Sequence, residues 1–303
     1  MKYLLGHQTA LEYWRLHDRG GHRAALRSGA RFDDPPSSTC AEGCTALARL
    51  PLPLCYVVTD PRAQRTTSAV TCRVTTMKLP AQTALSLGSD HYVSTPEACF
   101  LQMASCSDVV ELARIGCELC GTYALVDGRY RFDRFPRSSG KALARYVESA
   151  GSVHGAKRAR QTLRFICDGS ASPMETALVL LLCLPVRYGG YGLPFPQLNY
   201  PITVGKRRYV CDLYWPESRY ALEYDSTQFH ADDERLNLDS ARRSHLESAG
   251  IHVVSATRRQ VYRVEAFDVL AQAVASALGV RLRSRARDVA SRRAKLRQQL
   301  LGS

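Results

Sequence analysis

Residues 211–230, CDLYWPESRYALEYDSTQFH, set three carboxylates and a histidine among residues otherwise typical of buried strands. Ionised groups in such surroundings are costly unless something pairs with them. A four-residue loop, Pro216 to Arg219, places Trp215 opposite Tyr220, hence Asp212 opposite Glu223 and Val210 opposite Asp225. In that register Asp212, Glu223 and Asp225 project from one face, and Cys211, Leu213, Trp215, Tyr220, Leu222 and Tyr224 fill the other. A slip of one residue separates Asp212 from Glu223 and mixes charge into the core.

Clustered like charges repel unless a cation sits between them or one is protonated. A hard divalent ion with oxygen ligands, Mg²⁺ or Mn²⁺, meets that need, and such an ion polarises a phosphoryl group and generates a hydroxide nucleophile. The plainer alternative is a pair of strands whose acids face solvent or bind arginine. His230, five residues after Asp225, has the chemistry of a general acid or base, or of a hydrogen-bond donor to a phosphate. Glu175 has two readings. SPME (172–175) is a capping box with Ser172 as N-cap and Pro173 at the first helical position; a helix packed on the sheet also aims Glu175 at a metal. Asp239 and Arg243 are spaced to pair across one helical turn, the favoured reading; the alternative has Arg242 and Arg243 contact a phosphate or buttress the carboxylates.

The elements that must carry these groups follow from pattern. From residue 170 onward the order is helix (173–184), a Gly/Pro-rich loop RYGGYGLPFPQLNYP, strands at 207–215 and 219–225, a loop, a helix near 235–249, the strand IHVVSAT and a helix at 265–278, with Gly250 and Gly279 as C-caps. Upstream, HQTALEYWRLHDRGG reads as a helix capped by Thr9. Residues 51–94 alternate β-favouring runs with turns, and STPEACFLQMASCSDVVELARIGCELCGTYAL reads as one or two helices. The polar stretch RFDRFPRSSGK suggests a boundary. The expected organisation is a mixed α/β N-terminal domain (1–135), a helical connector (136–170), an α/β domain with a mixed sheet flanked by helices (171–280) and a basic tail (281–303).

Lys and Arg outnumber Asp and Glu by 41 to 28, a net charge of +13 that attracts polyanions, nucleic acid above all. Lys157 and Arg158, with Arg160 and Arg164, form a basic helix face suited to phosphates or simply to solvent. The tail RLRSRARDVASRRAKLRQQLLGS divides evenly between the same two readings. With 45% hydrophobic and 23% charged residues, the chain belongs to neither the disordered nor the membrane class. Its longest strongly apolar run, ALVLLLCLPV, is far short of a bilayer span. Eleven cysteines in so long a chain, with no export-type N-terminal pattern, point to a reduced, cytoplasmic protein. Cys117 and Cys120 form a C-x-x-C, but the segment reads as helix and its thiols as buried small hydrophobes rather than zinc ligands.

In order and spacing, Ser172 and Glu175, then GLPFPQLNYPI, DLYWPESRYALEYDSTQFH and LDSARRSHLESAGIHVV resemble the endonuclease-like family related to very-short-patch-repair endonucleases, within the PD-(D/E)XK superfamily. The resemblance covers about residues 155–280. Upstream, the chain looks like the antitoxin- and regulator-type regions that accompany this domain in actinobacteria. The resemblance implies a restriction-endonuclease-like fold, Asp212 as main metal ligand, Glu223 as second, Glu175 contributed from the first helix, and catalytic parts for Asp225 and His230. Asp225 stands where many superfamily nucleases carry Lys. The implied activity is Mg²⁺- or Mn²⁺-dependent hydrolysis of DNA phosphodiesters, in DNA repair or phage defence, with Arg242, Arg243, Lys157 and Arg158 on the nucleic acid. The alternative is a non-catalytic DNA-binding regulator or antitoxin-like protein, with a toxin or a second copy as partner and no membrane.

Overall fold

A computed structural model describes residues 2–17, 23–25, 29–33, 44–76, 79–80, 82–133, 135–225, 233–282 and 288–302, with the backbone alone at 23–25 and 233–239. It is mixed α/β throughout and divides into two units, Met1–Ile166 and Cys167–Ser303. No helix of the described residues is long and apolar enough to cross a membrane.

The first unit opens with β1 (Tyr3–Leu5) and α1 (His7–Leu16), followed by β2 (Arg23–Ala25), β3 (Leu54–Val58), β4 (Val70–Val74), β5 (Ala84–Gly88) and β6 (His91–Ser94). These strands form one mixed sheet, ordered β2-β5-β6-β1-β3-β4. Thr9 is not the cap of α1. It lies one turn inside, where its hydroxyl accepts the N–H of Cys55 and ties the helix to β3. Helices α2 (Pro96–Met103) and α3 (Val109–Leu119), the hairpin of β7 (Tyr123–Val126) and β8 (Arg129–Phe132), then α4 (Gly140–Ser149) and α5 (Ala156–Leu163) complete the unit. Cys117 is fully buried with its thiol directed at the Phe165 carbonyl, and Cys120 is buried beside the same core.

The boundary does not fall at 131–141, and residues 136–166 are not a connector. Leu143, Tyr146 and Val147 of α4 and Ala156 and Ala159 of α5 are buried in the same cluster as Trp14 and Phe100. Two amphipathic helices with an apolar stripe bury it against the nearest core, and that core is upstream. Arg158 is likewise engaged there, its guanidinium donating to the carbonyls of Ala104 and Ser107 at 2.7 and 2.8 Å, just beyond the end of α2.

The second unit runs α6 (Pro173–Cys183), β9 (Gln197–Val204), β10 (Arg207–Trp215), β11 (Tyr220–Asp225), α7 (Asp233–Ser248), β12 (His252–Thr257), α8 (Arg258–Tyr262), α9 (Val264–Ala277) and α10 (Val289–Leu301). Its sheet is ordered β12-β11-β10-β9: three antiparallel strands, then β12 parallel to β11 after the α7 crossover. The helix α6 is apolar all round because it is buried all round, from Thr176 to Leu184. β9 lies in the segment read as loop. Pro201 disguises it, and a proline is tolerated here because β9 is an edge strand.

The C-terminal segment is more than a solvated tail. Residues 289–301 form α10, which buries Leu296 completely. Arg297 donates to the Val261 carbonyl, and Arg293 pairs with Asp268 at 2.8 Å while lying 3.9 Å from the centre of the Tyr191 ring. Gly189 admits this helix. Its φ is +95°, and a Cβ there would stand 2.3 Å from the Arg292 carbonyl.

The docking of α10 can be tested through stability. Leu296→Ala is expected to cost about 2–4 kcal/mol by the loss of burial and the cavity left behind. Gly189→Ala is expected to cost a similar amount, about 2–4 kcal/mol, by strain and clash. Urea denaturation of the full chain checks both, and unchanged midpoints would mean that α10 is undocked in solution.

Candidate functional site

The β10–β11 hairpin forms in the expected register. Trp215 pairs with Tyr220, Tyr214 with Ala221 and Leu213 with Leu222, across the loop Pro216–Arg219. The expected division into one charged and one apolar face does not survive beyond Leu213. Cys211 and Tyr214, three residues apart, join one apolar cluster with Ala221, Leu246, Ile251 and Val253. Two-residue alternation is therefore interrupted at Asp212. The irregularity has a visible cause on each side. Asn199, which continues the β9–β10 register opposite Asp212, has a left-handed backbone (φ +47°), and the Asp212 carboxylate accepts the Tyr224 N–H at 2.8 Å.

Each carboxylate of the cluster has found its own donors. Glu223 takes two N–H groups of Arg242, at 2.5 and 2.6 Å, in a fork that only a guanidinium supplies. Arg242 also donates to the Val210 carbonyl, so α7 is stitched to both central strands. The bond to Glu223 raises the Arg242 pKa above its ordinary value. Ser172 caps α6 as expected, but Glu175 does not complete the capping box, because its carboxylate reaches the Ala171 N–H and the Ser172 hydroxyl rather than the Ser172 N–H. The carboxylate accepts the Ala171 N–H at 2.9 Å and the Ser172 hydroxyl at 2.9 Å, while the Ser172 oxygen accepts the Glu175 N–H. The amide of Asn199 donates to the same carboxylate at 2.6 Å and to the Gly169 carbonyl at 3.0 Å.

Asp212 is the least compensated of the three. Burial pushes its carboxyl up to about 6, opposed by the Tyr224 N–H and reinforced by the negative charges of Glu175 and Glu223. Asp212 is thus within electrostatic reach of both Glu175 and Glu223, but the three acids do not converge as ligands. Among the described residues no three His, Cys, Asp or Glu side chains form a group able to hold a metal ion. Both oxygens of Glu223 face Arg242, and both oxygens of Glu175 are bonded to the cap and Asn199. The donor set as folded does not fit Mg²⁺ or Mn²⁺.

The remaining predicted residues separate. Asp225 ends β11, half-buried, in register with Thr257. His230 and the side chain of Asp239 lie outside the described residues. Arg243 is exposed and donates to the Ser255 hydroxyl at 2.8 Å, so among the described residues Arg242 is the one of the two tandem arginines that buttresses a carboxylate. Lys157 and Arg158 belong to the first unit. Two residues escaped the sequence reading: Asn199, which braces Glu175, and His245, which meets the Tyr209 hydroxyl at 2.6 Å. Asn199 left one signal, since Asn tolerates left-handed backbone better than other side chains.

The chain is 30% identical over 132 residues to two proteins of Mycobacterium tuberculosis, uncharacterized protein Rv2248 (strain H37Rv) and uncharacterized protein MT2308 (strain CDC 1551). Each match spans 43% of this chain and 45% of the relative, so less than half the length of either relative is covered. No family model and no solved structure matches the chain.

The Asp212 shift gives a signed pH dependence. An unfolded Asp ionises near 4 and the folded Asp212 near 6. Between those values the folded state holds the extra proton, so stability falls as pH rises from about 4 to about 6 and stays lowered above, by up to about 3 kcal/mol. Asp212→Asn keeps an acceptor for the Tyr224 N–H and removes the charge. It is expected to raise the unfolding midpoint at pH 7 and to flatten that decline; parallel wild-type and variant curves would show that Asp212 ionises normally.

Proposed function

We infer that the chain is a DNA-binding protein whose second unit keeps a restriction-endonuclease-like scaffold with its acidic centre neutralised from within. The observation that carries this reading is the two-pronged pairing of Arg242 with Glu223, which puts a fixed guanidinium where a metal-dependent nuclease needs an exchangeable cation. The order α6–β9–β10–β11–α7–β12 supports the scaffold, since it presents the helix-borne Glu175 and the strand-borne Asp212 and Glu223 in the sequence that the very-short-patch-repair-like resemblance calls for.

Charge supports the ligand. Lys206, Arg207 and Arg208 are exposed at the β9–β10 turn, Arg258 and Arg259 are exposed at the start of α8, and none of them makes an ion pair among the described residues. Unpaired cations on a stable hairpin lower the free energy of a nearby phosphate chain by releasing its counterions. With Glu223 neutralised by Arg242, the repulsion that clustered acids would exert on phosphates is reduced.

One observation favours the second reading, a metal-dependent endodeoxyribonuclease. Asp212 is left short of positive charge, as a carboxylate beside a missing cation would be. That reading requires Arg242 to release Glu223.

Two measurements separate the readings. Under the first, a short labelled duplex binds the full chain with a steep salt dependence, and Lys206→Ala/Arg207→Ala/Arg208→Ala weakens binding and lowers the log–log salt slope by about 0.9 for each phosphate no longer neutralised. Supercoiled plasmid incubated with Mg²⁺ or Mn²⁺ remains intact. Cleavage by the wild type that disappears in Glu223→Ala, or that appears in Arg242→Ala, would establish the second reading instead.

A further inference from the structure

The segment GRYRFDRF (128–135) carries an arginine or an aromatic ring at most of its positions. Its strand β8 pairs with β7 from Tyr123↔Phe132 to Val126↔Arg129, and the turn between them uses Asp127 and Gly128, both with left-handed backbones. That is the twist a two-residue hairpin requires. Alternation along β8 sends Tyr130 and Phe132 to one face and Arg129 and Arg131 to the other. Tyr130, Phe132 and the nearby Phe135 are 61%, 67% and 68% exposed, so three rings within six residues present most of their surface to water. Scattered exposed rings are ordinary, whereas Tyr130 and Phe132, two residues apart on one strand face, make a continuous aromatic surface of the kind that binds a ligand.

This exposure is not fraying, because the base and inner side of the hairpin are clamped. Arg131 donates to the Arg15 carbonyl and pairs with Asp133. Arg137, only 2% exposed, donates to the carbonyls of Trp14 and His17 and pairs with Asp133 at 2.7 Å. The Leu125 N–H is held by Glu118, whose two oxygens also accept N–H groups of Arg15 at 2.8 Å. Four buried or half-buried charges fix the strand pair on α1 and α3, and the rings remain outside. Arg129, at the turn, is exposed and makes no ion pair among the described residues.

We propose that Tyr130 and Phe132 form a stacking platform for the unpaired bases of single-stranded nucleic acid, with Arg129, exposed at the hairpin turn, taking a phosphate of the same strand where it rounds the turn. Every base offers a π face to an exposed ring, and a chain of net charge +13 complements a polyanion where an apolar protein surface would leave the arginines unanswered. A duplex cannot use this surface in the same way, since its bases already stack on one another. The platform therefore concerns a different nucleic-acid form, on a different unit, from the duplex binding inferred above.

Fluorescence anisotropy of the full chain with labelled oligothymidylate and with a matched duplex tests it. Tyr130→Ala/Phe132→Ala is expected to weaken oligothymidylate binding at least about tenfold while duplex affinity and the melting temperature stay unchanged, and Tyr130→Trp/Phe132→Trp is expected to retain binding. Oligothymidylate affinity that is absent in the wild type, or equal in wild type and alanine variant, overturns the proposal. So does ring-dependent self-association in sedimentation without ring-dependent oligonucleotide binding, which assigns the face to a second copy of the chain. Loss of duplex binding alone sinks the function proposed for the second unit and leaves the platform standing.

Discussion

Two half-buried carboxylates, Asp212 and Glu223, at the end of the β10–β11 ladder and the buried Glu175 of α6 each need a donor, and the second unit is arranged around finding one for each. Glu223 requires Arg242, and Arg242 requires α7 to cross that face. Glu175 requires the Ser172 cap and the left-handed turn at Asn199. Asp212 takes a backbone N–H that regular pairing would have used otherwise. The interruption of alternation is the geometric consequence, because a strand that gives a side-chain oxygen to its neighbour's amide cannot keep an even pleat there. Breaking any one of these pairings leaves a buried charge exposed to the full cost of desolvation.

Much of the framework could be read from the sequence, because it rests on local rules. The cap at Ser172, the four-residue loop with Trp215 opposite Tyr220, and the C-caps at Gly250 and Gly279 all depend on a few adjacent residues. What escaped depends on partners far along the chain. Arg242 and Arg243 are indistinguishable as neighbours in a helix, and only the packing of α7 decides that the first grips Glu223 while the second reaches Ser255. The strand β9 was hidden by Pro201, whose meaning changes with an edge position that no local rule reveals. The same limit misplaced the boundary: the polar stretch at 131–141 looked like a linker, yet its Arg137 is among the most buried charges of the first unit.

The first unit solves a similar problem by similar means. Glu118 lies almost wholly buried at the end of α3 and is compensated by Arg15 and the Leu125 amide. Burial there forces proximity between α1, α3 and β7, elements distant in sequence, and fixes the angle at which the β7–β8 hairpin leaves the core. In both units an ion pair, nearly buried at Arg15–Glu118 and half-buried at Arg242–Glu223, ties together elements distant in sequence, and such pairs rarely supply much net stability.

Asp212 differs from every other acid in this scheme. Glu223 and Glu118 gain an arginine in direct contact, and Glu175 gains three donors, but Asp212 gains one amide and the attraction of Arg242 against burial and two repulsive neighbours. Its ionisation works against folding near neutral pH, so packing alone does not account for an aspartate at that position; an asparagine would accept the same N–H without the charge. A carboxyl raised toward neutrality beside a guanidinium-locked partner has two physical uses: to hold a proton, or to complete a cation site once the lock opens. The Arg242–Glu223 pair decides between them, because while it stands the cluster already contains its cation and Asp212 relieves its repulsion most readily by taking up a proton.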